Sequence, residues 1–394
     1  MNPIPGLRHA HLVDMTMFYA AEGGGVRTYL EAKARWIGAQ PHLRHSVVAP
    51  AIRGRAGGKP EDDGPGNIVV PSVPIQIARR YRVLWSVGAA ARRARAIAPS
   101  LIEVGDPFQF AWAARRIKRS HGIPIVAFHH CDVSTILQRR FGPMAGQVAL
   151  RYLKSVYQDF DLVLAPSRGV AQYLREQGVE SVLHQPLGVD TAVFHPRFRQ
   201  DDLRQRLGLP PDTRLLVYAG RFTSEKKLAL LFDAVHALGA SYHLLLIGNG
   251  TPPPSSSQIT HLPFQRCSRT LSGLIGGCDL LVHPGDQETF GLVVLEAMAS
   301  GVPVLGVAAG GVAELVNDRN GLLVAPGSSS ALQQGIITLF RQDLRRLGLL
   351  ARESVVGRYD WSMIFPQLLR QYGYLLSSQR NRHPDSPLAF DHDL

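Results

Sequence analysis

Short runs of β-branched and apolar residues alternate along the chain with stretches whose apolar positions recur at helical spacing. In the first half, each apolar run has the length of a buried strand and is bounded by turn residues. The pattern predicts strands at 10–15, 45–50, 100–104, 123–128 and 161–166. It predicts helices at 26–39, 84–98, 109–119 and 167–177. Strands that alternate with helices are typical of a parallel sheet covered on both faces.

The same alternation begins again after residue 213. Strands are predicted at 214–220, 242–248, 279–284 and 302–307. Helices are predicted at 226–238, 268–276, 291–300 and 311–316. The segment 186–213 between the two halves is rich in Pro, Gly and charge, and its only predicted element is one short helix. A chain of 394 residues with this pattern is expected to form two consecutive doubly wound α/β units.

The composition is that of a globular protein and adds several exclusions. Hydrophobic residues make up 45% and charged residues 19%, which excludes a mainly disordered chain. Cys131, Cys267 and Cys278 are odd in number and form no C-x-x-C pair, so neither a disulfide framework nor a cysteine zinc site is expected. The N-terminus lacks a signal-peptide pattern, and no uncharged apolar run reaches about 18 residues. We therefore expect a cytoplasmic protein.

Positive charge is concentrated in the first half of the chain. The net charge is +12, and residues 1–196 contain 24 Lys and Arg against 14 Asp and Glu, whereas residues 197–394 contain 19 against 17. The stretch 79–97 holds six arginines together with Tyr81 and Trp85. As a helix, it would be either a candidate for an anionic membrane surface or an ordinary solvated helix. No nucleic-acid-binding module is recognisable, so nucleic acid is not an expected partner.

One segment combines an anion-binding edge with two acidic side chains. A predicted strand ends in VHP and is followed by the loop GDQET and a helix. The first backbone N–H groups of that helix, around Phe290, Gly291 and Leu292, have no intrahelical partners and attract anions. Glu288 in the loop and Glu296 in the helix are too far out of register for one helical face. They would serve different parts of one ligand, unless they simply complement the helix dipole and face solvent.

The segment ETFGLVVLEAMASGVPV, from Glu288 onward, resembles the E-x7-E motif of the family 4 retaining glycosyltransferases, which have the GT-B fold. Five other segments agree in the family's order: APSRGVAQYL (165–174), LGVDTAVFHP (187–196), AGRFTSEKKLALLFDAV (219–235), LLLIGNG (244–250) and GGVAELVNDRNGLLV (310–324). The resemblance covers nearly the whole chain and is densest after residue 160. Six segments in one order make it specific.

The resemblance implies two Rossmann-like, doubly wound α/β domains that face each other across a cleft. The first domain would span residues 1–195 and bind the acceptor. The second domain, residues 196–361, would bind a nucleotide sugar. A C-terminal helix at 362–377 would cross back onto the first domain, and a flexible tail would follow at 378–394.

The resemblance also implies roles for residues of the second domain. Glu296 should bind the ribose hydroxyls of the donor, and Glu288 its hexose. Arg221 and Lys226 should hold the diphosphate, where negative charge develops as it leaves, unless they belong to a solvated strand end. The donor would be a GDP- or UDP-sugar. No metal and no cofactor would be needed.

Two strand ends of the first domain should face the donor in this family. The segment AAEGGGVRTYL (20–30) opens a helix, where Gly24 and Gly25 would let the backbone approach the donor, or would form a turn without a ligand. The segment AFHHCD ends another strand, where the family often carries a histidine near the donor sugar. His130 fits this role best and His129 second; the alternative is a structural histidine.

The implied function is transfer of a hexose, mannose or glucose, from a nucleotide diphosphate sugar to a lipid or saccharide acceptor, with retention at the anomeric carbon. The expected catalytic residues are Glu288, His130, Arg221 and Lys226. The alternatives are a sugar-nucleotide epimerase or a phosphorylase on the same fold, and a non-catalytic scaffold that binds anions or lipid. The basic first domain adds peripheral binding at the inner face of the membrane as an option. The sugar, base, acceptor, linkage and oligomeric state stay open.

Overall fold

The computed structural model describes residues 6–19, 24–50, 67–75, 78–251 and 256–382. Two α/β domains follow one another along the chain, as the alternating pattern predicts. Residues 20–23 of the predicted glycine-rich loop lie outside the described residues. So does the part of the predicted tail from residue 383 onward.

The first domain is built on a seven-stranded parallel sheet in the order β3-β2-β1-β6-β7-β8-β9. Its strands, with a separate antiparallel pair β4–β5, are β1 His11–Met15, β2 Arg44–Pro50, β3 Asn67–Val70, β4 Ser72–Ile75, β5 Ala78–Leu84, β6 Leu101–Val104, β7 Ile125–Phe128, β8 Leu162–Ala165 and β9 Val182–His184. Its helices are α1 Gly25–Gly38, α2 Val87–Ala96, α3 Gln109–His121, α4 Val133–Phe141, α5 Pro143–Tyr157 and α6 Arg168–Glu176. Helices cover both faces, so the central strands are buried along their whole length.

The second domain has a six-stranded parallel sheet in the order β12-β11-β10-β13-β14-β15. Its strands are β10 Arg214–Ala219, β11 Tyr242–Ile247, β12 Ile259–Leu262, β13 Leu280–His283, β14 Val304–Val307 and β15 Gly321–Val324. The helices after α6 are α7 Leu203–Arg206, α8 Leu228–Leu238, α9 Ser268–Gly276, α10 Leu292–Ala299, α11 Val312–Leu315, α12 Ser329–Leu339, α13 Leu344–Val356 and α14 Trp361–Arg382. In both sheets the carboxyl ends of the parallel strands share one edge, which is where such folds bind ligands.

The arginine-rich stretch 79–97 differs from the single helix considered above. Residues up to Leu84 form β5, and α2 begins only at Val87, with the Ser86 hydroxyl accepting a hydrogen bond from the Ala89 N–H. The same break makes the predicted helix at 84–98 shorter at its start. β5 pairs with β4, which precedes it, and this pairing competes with helix formation.

The last helix returns to the first domain, as the family resemblance implies. Trp361 and Phe365 of α14 stack on each other and contact Tyr29 of α1. The helix runs to Arg382 rather than ending at residue 377, so residues 378–382 of the predicted flexible tail are helical. Neither α14 nor any other helix among the described residues is both long and apolar enough to cross a bilayer.

A buried charge cluster fixes α14 against the first domain. The Lys33 ammonium lies 2.8 Å from Asp14 Oδ1 and 3.1 Å from Glu103 Oε2. Tyr372 of α14 and Tyr29 of α1 donate their hydroxyls to Glu103. Burial raises the pKa of Glu103 to about 8, although Lys33 opposes the rise. Lys33 and His45 outweigh the effect of burial on Asp14 and hold its pKa below its ordinary value.

The two chain segments that link the domains cross at Gly188. The Val189 N–H donates to the Tyr359 carbonyl at 2.8 Å, and the Trp361 N–H donates to the Val189 carbonyl at 3.2 Å. A β-carbon at Gly188 would lie 2.7 Å from the Tyr359 carbonyl oxygen and from the Trp361 ring. Only glycine lets the two segments approach this closely.

We expect Gly188→Ala to lower the free energy of unfolding by about 1–3 kcal/mol, because the added methyl group overlaps backbone and a buried ring. Urea unfolding followed by circular dichroism measures the change. Gly357→Ala is the matched control, since a β-carbon there meets no atom within 4 Å in the part of the chain that the structure describes. Equal stability of both variants would contradict the steric role of Gly188.

Candidate active site

The loop after β13 and the start of α10 form the edge at which most predicted site residues lie. The helix begins at Leu292, one residue later than predicted, and Gly291 precedes it with φ at 100°. This left-handed conformation favours glycine, and a β-carbon at Gly291 would also lie 3.3 Å from Val312. The Gly311 N–H donates a hydrogen bond to the Glu288 carbonyl at 2.7 Å, and this bond holds the loop against the start of α11. The unpaired N–H groups of the first helical turn therefore face the edge of the sheet.

Glu288 is held in this loop by two groups of the second domain. Lys226 forms an ion pair with Glu288 Oε2, and His283 Nε2 lies 3.4 Å from the same oxygen. Burial alone would raise the pKa of Glu288, but the charge of Lys226 and the hydrogen bond from His283 hold it well below its ordinary value. The carboxylate is therefore ionised over the whole physiological range.

Glu296 differs from Glu288 in having no fixed partner. Its side chain is half-buried on the second turn of α10, and among the described residues no hydrogen bond or ion pair reaches its carboxylate. Burial raises its pKa to about 7. The Glu296 carboxylate can therefore accept further hydrogen bonds, which suits it to a ligand that carries hydroxyl groups.

Arg221 follows β10 at the same edge and is exposed. Within the described part of the chain its guanidinium has no hydrogen bond or ion pair, whereas its backbone carbonyl accepts from the Tyr218 hydroxyl at 3.0 Å. Burial raises the pKa of the Cys131 thiol to about 11, and the charges of Arg221 and Glu288 also act on that thiol. Charged groups of the second domain therefore lie close enough to act on Cys131 of the first domain, across the space between the two domains.

The first domain supplies the opposite wall. A β-carbon on Gly25 would lie 3.3 Å from the Leu292 side chain, so the starts of α1 and α10 face each other. Gly24 has φ at 130°, and no atom of the described residues lies within 4 Å of its β-carbon position. The Thr289 hydroxyl donates to the His130 carbonyl at 3.1 Å and joins the two walls. The structure therefore brings the predicted glycines, His130 and the Glu288 loop to one cleft.

The two neighbouring histidines occupy different environments. His129 is buried, and its Nδ1 lies 3.0 Å from the hydroxyl of Tyr157, a residue of the first domain's core. The His130 ring stacks on Phe128 with centroids 4.4 Å apart. Burial lowers the pKa of His129 to about 4 and that of His130 to about 3, so both rings are neutral at physiological pH. Of the two, His130 is placed better for a ligand in the cleft.

Two further contacts hold the domains together. Arg139 of α4 lies 3.3 Å from Asp286, which also pairs with Lys227. Glu314 of the second domain accepts hydrogen bonds from the backbone N–H groups of Arg168 and Gly169, at 2.9 and 2.7 Å. These N–H groups are the start of α6, so Glu314 caps a helix of the other domain.

Sequence reasoning missed His283, Thr289 and Asp286. His283 is the last residue of β13 and is buried, and a polar residue at the carboxyl end of a buried strand is a signal that could have found it. Its Nδ1 has no hydrogen-bond partner among the described residues. Thr289 and Asp286 lie in the predicted loop, but each has a partner in the other domain, which no local pattern reveals.

Comparison with known proteins agrees with this geometry. Residues 23–193 match the family model described as Glycosyltransferase Family 4, and residues 213–342 match the one described as Glycosyl transferases group 1. A Mycobacterium tuberculosis protein named GDP-mannose-dependent alpha-mannosyltransferase is 30% identical over 288 residues, which are 71% of this chain and 74% of that protein. Another relative from that species, named GDP-mannose-dependent alpha-(1-6)-phosphatidylinositol dimannoside mannosyltransferase, is 26% identical over 390 residues, or 94% and 97% of the two chains.

The sucrose-phosphate synthase structure from Thermosynechococcus elongatus shares the fold, with a TM-score of 0.76 and 21% identity over 93% of this chain and 100% of that one. The chain therefore belongs to the family 4 glycosyltransferases. It is a glycosyltransferase with the GT-B fold, and the family, fold and enzyme class predicted from the sequence are confirmed. The roles of the individual site residues stay predictions.

We expect Lys226→Met to reduce stability at pH 7 by about 2–4 kcal/mol, because it leaves the Glu288 carboxylate without its cation. The depressed pKa of Glu288 contributes stability above its unfolded-state pKa and loses it as the pH falls. The difference between wild type and variant should therefore shrink in acid. Urea unfolding at several pH values measures both effects.

The double variant Lys226→Met/Glu288→Gln serves as the control for this pair. Removing both charges should recover part of the stability that Lys226→Met loses. The free energy of unfolding is also measured for Glu288→Gln alone. If the double variant lost as much stability as the two single variants together, the two side chains would not be coupled.

Proposed function

We propose that this glycosyltransferase transfers mannose from GDP-mannose to a lipid or saccharide acceptor. The observation that carries the proposal is the arrangement at the start of α10, where an unpartnered carboxylate, two cations and free N–H groups line one cleft edge. Both mannosyltransferase relatives described above have GDP-mannose in their names, which favours this donor over a UDP-sugar. Both names also describe transfer of mannose.

The donor would extend along the cleft edge from Glu296 to Glu288. The Glu296 carboxylate has two oxygens free to accept hydrogen bonds from the vicinal ribose hydroxyls. The diphosphate would lie at the first N–H groups of α10, where the helix dipole favours an anion. Glu288 would accept from hydroxyls of the hexose, beside the neutral imidazole and carbonyl of His130. Gly24, whose β-carbon position meets no described atom within 4 Å, leaves room for the donor on the opposite wall.

The charges of the site are matched to a leaving diphosphate. In the free protein, Lys226 is neutralised by Glu288, whereas Arg221 has no partner among the described residues. As the bond to the sugar breaks, negative charge grows on the phosphate oxygen. Arg221 and Lys226 stabilise that charge more strongly in the transition state than in the bound donor, which is the condition for catalysis.

Retention of configuration would follow from attack on the face from which the diphosphate departs. The bond between the anomeric carbon and the phosphate oxygen breaks, and the acceptor oxygen forms the new bond on the same side. The hydroxyl proton of the acceptor passes to the departing phosphate oxygen. The cations of Arg221 and Lys226 supply the charge stabilisation that this step needs, so the proposed mechanism uses neither a metal nor a cofactor.

The acceptor would enter from the first domain, as is usual in the family. The phosphatidylinositol dimannoside in the name of one relative supports a lipid acceptor. The excess of Lys and Arg in the first half of the chain supports binding to an anionic membrane surface. We therefore include peripheral association with the cytoplasmic face of the membrane in the proposed function.

The affinity for GDP should rise with pH up to about 7 and then level off. Only the ionised form of Glu296 accepts both ribose hydrogen bonds, and its pKa in the free protein is about 7. Below that pH, protons compete with GDP by as much as about tenfold per pH unit. Isothermal calorimetry between acidic and basic buffers measures this dependence.

Glu296→Gln separates this effect from the titration of the GDP phosphates. The variant should bind GDP about tenfold or more weakly at basic pH and lose the part of the pH dependence that comes from the carboxyl. Identical pH profiles in both proteins would reject the ribose-binding role of Glu296.

Arg221→Ala should lower kcat by about a hundredfold, because one fixed donor to the leaving group is lost. The KM for the acceptor should change little. Transfer of labelled mannose from GDP-mannose to an alkyl mannoside measures both constants. Arg319→Ala, an exposed arginine elsewhere in the second domain, is the matched control. Equal kcat in the two variants would contradict the proposed role.

A further inference from the structure

One face of the first domain exposes large apolar side chains that a globular protein normally covers. Among the largest exposed apolar groups of this domain are Trp85 at 78%, Met144 at 78%, Phe141 at 64%, Val148 at 60% and Trp112 at 43% exposure. They come from the turn before α2, from α3 and from the hairpin of α4 and α5. Single exposed apolar residues need no explanation, but a connected set marks an interaction surface.

The contacts between these elements connect the set. Val87, which is two residues after Trp85, lines one groove of about 530 Å³ together with Trp112. The Trp112 indole N–H donates to the Tyr152 hydroxyl at 2.9 Å. Tyr152 lies one turn of α5 after Val148, which itself lies one turn after Met144. Phe141 precedes α5 at the end of the hairpin. We call these five exposed side chains and the arginines among them the tryptophan–arginine face.

Four exposed arginines accompany the apolar groups. Arg92 and Arg116 each place a guanidinium nitrogen 3.8 Å from the β-carbon position of Gly88, so two cations meet beside the groove. Arg140 lies over the Phe141 ring at 5.6 Å, and Arg151 follows Val148 on the same side of α5. Arginine next to tryptophan at a surface is typical of sites that meet lipid headgroups.

Negative charge is nearly absent from this part of the chain. Residues 78–158 contain 14 Lys and Arg and only three acidic residues. All three have partners inside the protein: Glu103 in the Lys33 cluster, Asp106 at the Met17 and Phe108 N–H groups, and Asp132 at the start of α4. The next acidic residue, Asp159, is half-buried and pairs with Arg115 and Arg119, which line the same groove. The four arginines of the tryptophan–arginine face have no such partner among the described residues, so the face carries net positive charge and complements an anionic surface.

The face also has a fixed relation to the catalytic cleft. α4 begins directly after the strand end that carries His130, and Arg139 of α4 contacts Asp286 in the loop before Glu288. The other end of the hairpin is anchored, because Leu153, Val156 and Tyr157 of α5 lie in the core. A surface that binds this face would therefore lie beside the mouth of the cleft.

We propose that the tryptophan–arginine face is the membrane-docking surface of this enzyme and that it binds bilayers containing anionic phospholipid. The indole and aliphatic groups enter the headgroup region, and the four arginines pair with lipid phosphates. Docking in this way brings the cleft mouth to the headgroup layer, where a lipid acceptor presents its hydroxyls. This proposal rests on the membrane association included in the proposed function and names the surface responsible, but it does not depend on the identity of the sugar donor.

Sedimentation with vesicles tests the proposal on the full chain. Wild type should bind vesicles of phosphatidylglycerol mixed with phosphatidylcholine, bind vesicles of phosphatidylcholine alone much more weakly, and dissociate as salt is added. The apolar variant Trp85→Ser/Met144→Ser and the charge variant Arg92→Glu/Arg116→Glu should each bind the anionic vesicles about tenfold or more weakly. Leu349→Ser and Arg345→Glu, exposed positions on α13 of the second domain, are matched controls and should bind as wild type does.

Three results would overturn the proposal. These are no binding of wild type to anionic vesicles, equal binding to both kinds of vesicle, and equal losses in the control variants. Self-association of wild type in sedimentation velocity that both test variants abolish would likewise assign the face to a second copy of the chain. GDP affinity, measured by calorimetry in each variant, should equal that of wild type. Failure of GDP binding in wild type would reject the donor proposal and leave the vesicle result standing.

Discussion

The Lys33 ammonium lies in the interior of the first domain between Asp14 and Glu103, and the hydroxyl of Tyr372 on α14 completes this cluster. A buried cation is tolerated only when its partners are in place, so α14 must dock where the cluster requires it. The docked helix carries Trp361 at its start, which packs on the crossing at Gly188. Because that crossing joins both domains, the cluster helps to fix the distance between the two sheet edges and therefore the width of the cleft.

The central strands and most helices of the fold could be predicted from the sequence, because burial on both faces makes them continuous apolar runs. The strands at Asn67–Val70, Val182–His184 and Gly321–Val324 were missed because they lie at or near sheet edges, are short and are partly exposed. The prediction of one helix over 79–97 was wrong at its start, because the spacing of the arginines does not reveal that residues up to Leu84 pair with β4. Tertiary pairing overrides local propensity there.

Those parts of the candidate site that lie within a single loop could be predicted from the sequence. Glu288, Lys226 and the glycine before α10 lie in segments whose local pattern and family resemblance identify them, and the structure brings them together. The difference in pKa between the two carboxyl groups could not be predicted. Lys226 and His283 lower the pKa of Glu288, whereas burial without a partner among the described residues raises the pKa of Glu296. Such differences depend on neighbours that lie far away in the sequence.

Glu314 forms an electrostatic contact between the two domains beside the cleft. Its carboxylate belongs to one domain, and the two N–H groups that it accepts begin a helix of the other. Any hinge motion that separates the domains must return both partners to water, and the helix then loses a favourable interaction with its dipole. This contact therefore favours the arrangement of the two domains seen in the structure. The speed at which spent nucleotide escapes would then depend on a residue that touches neither substrate, and ionic strength would influence it.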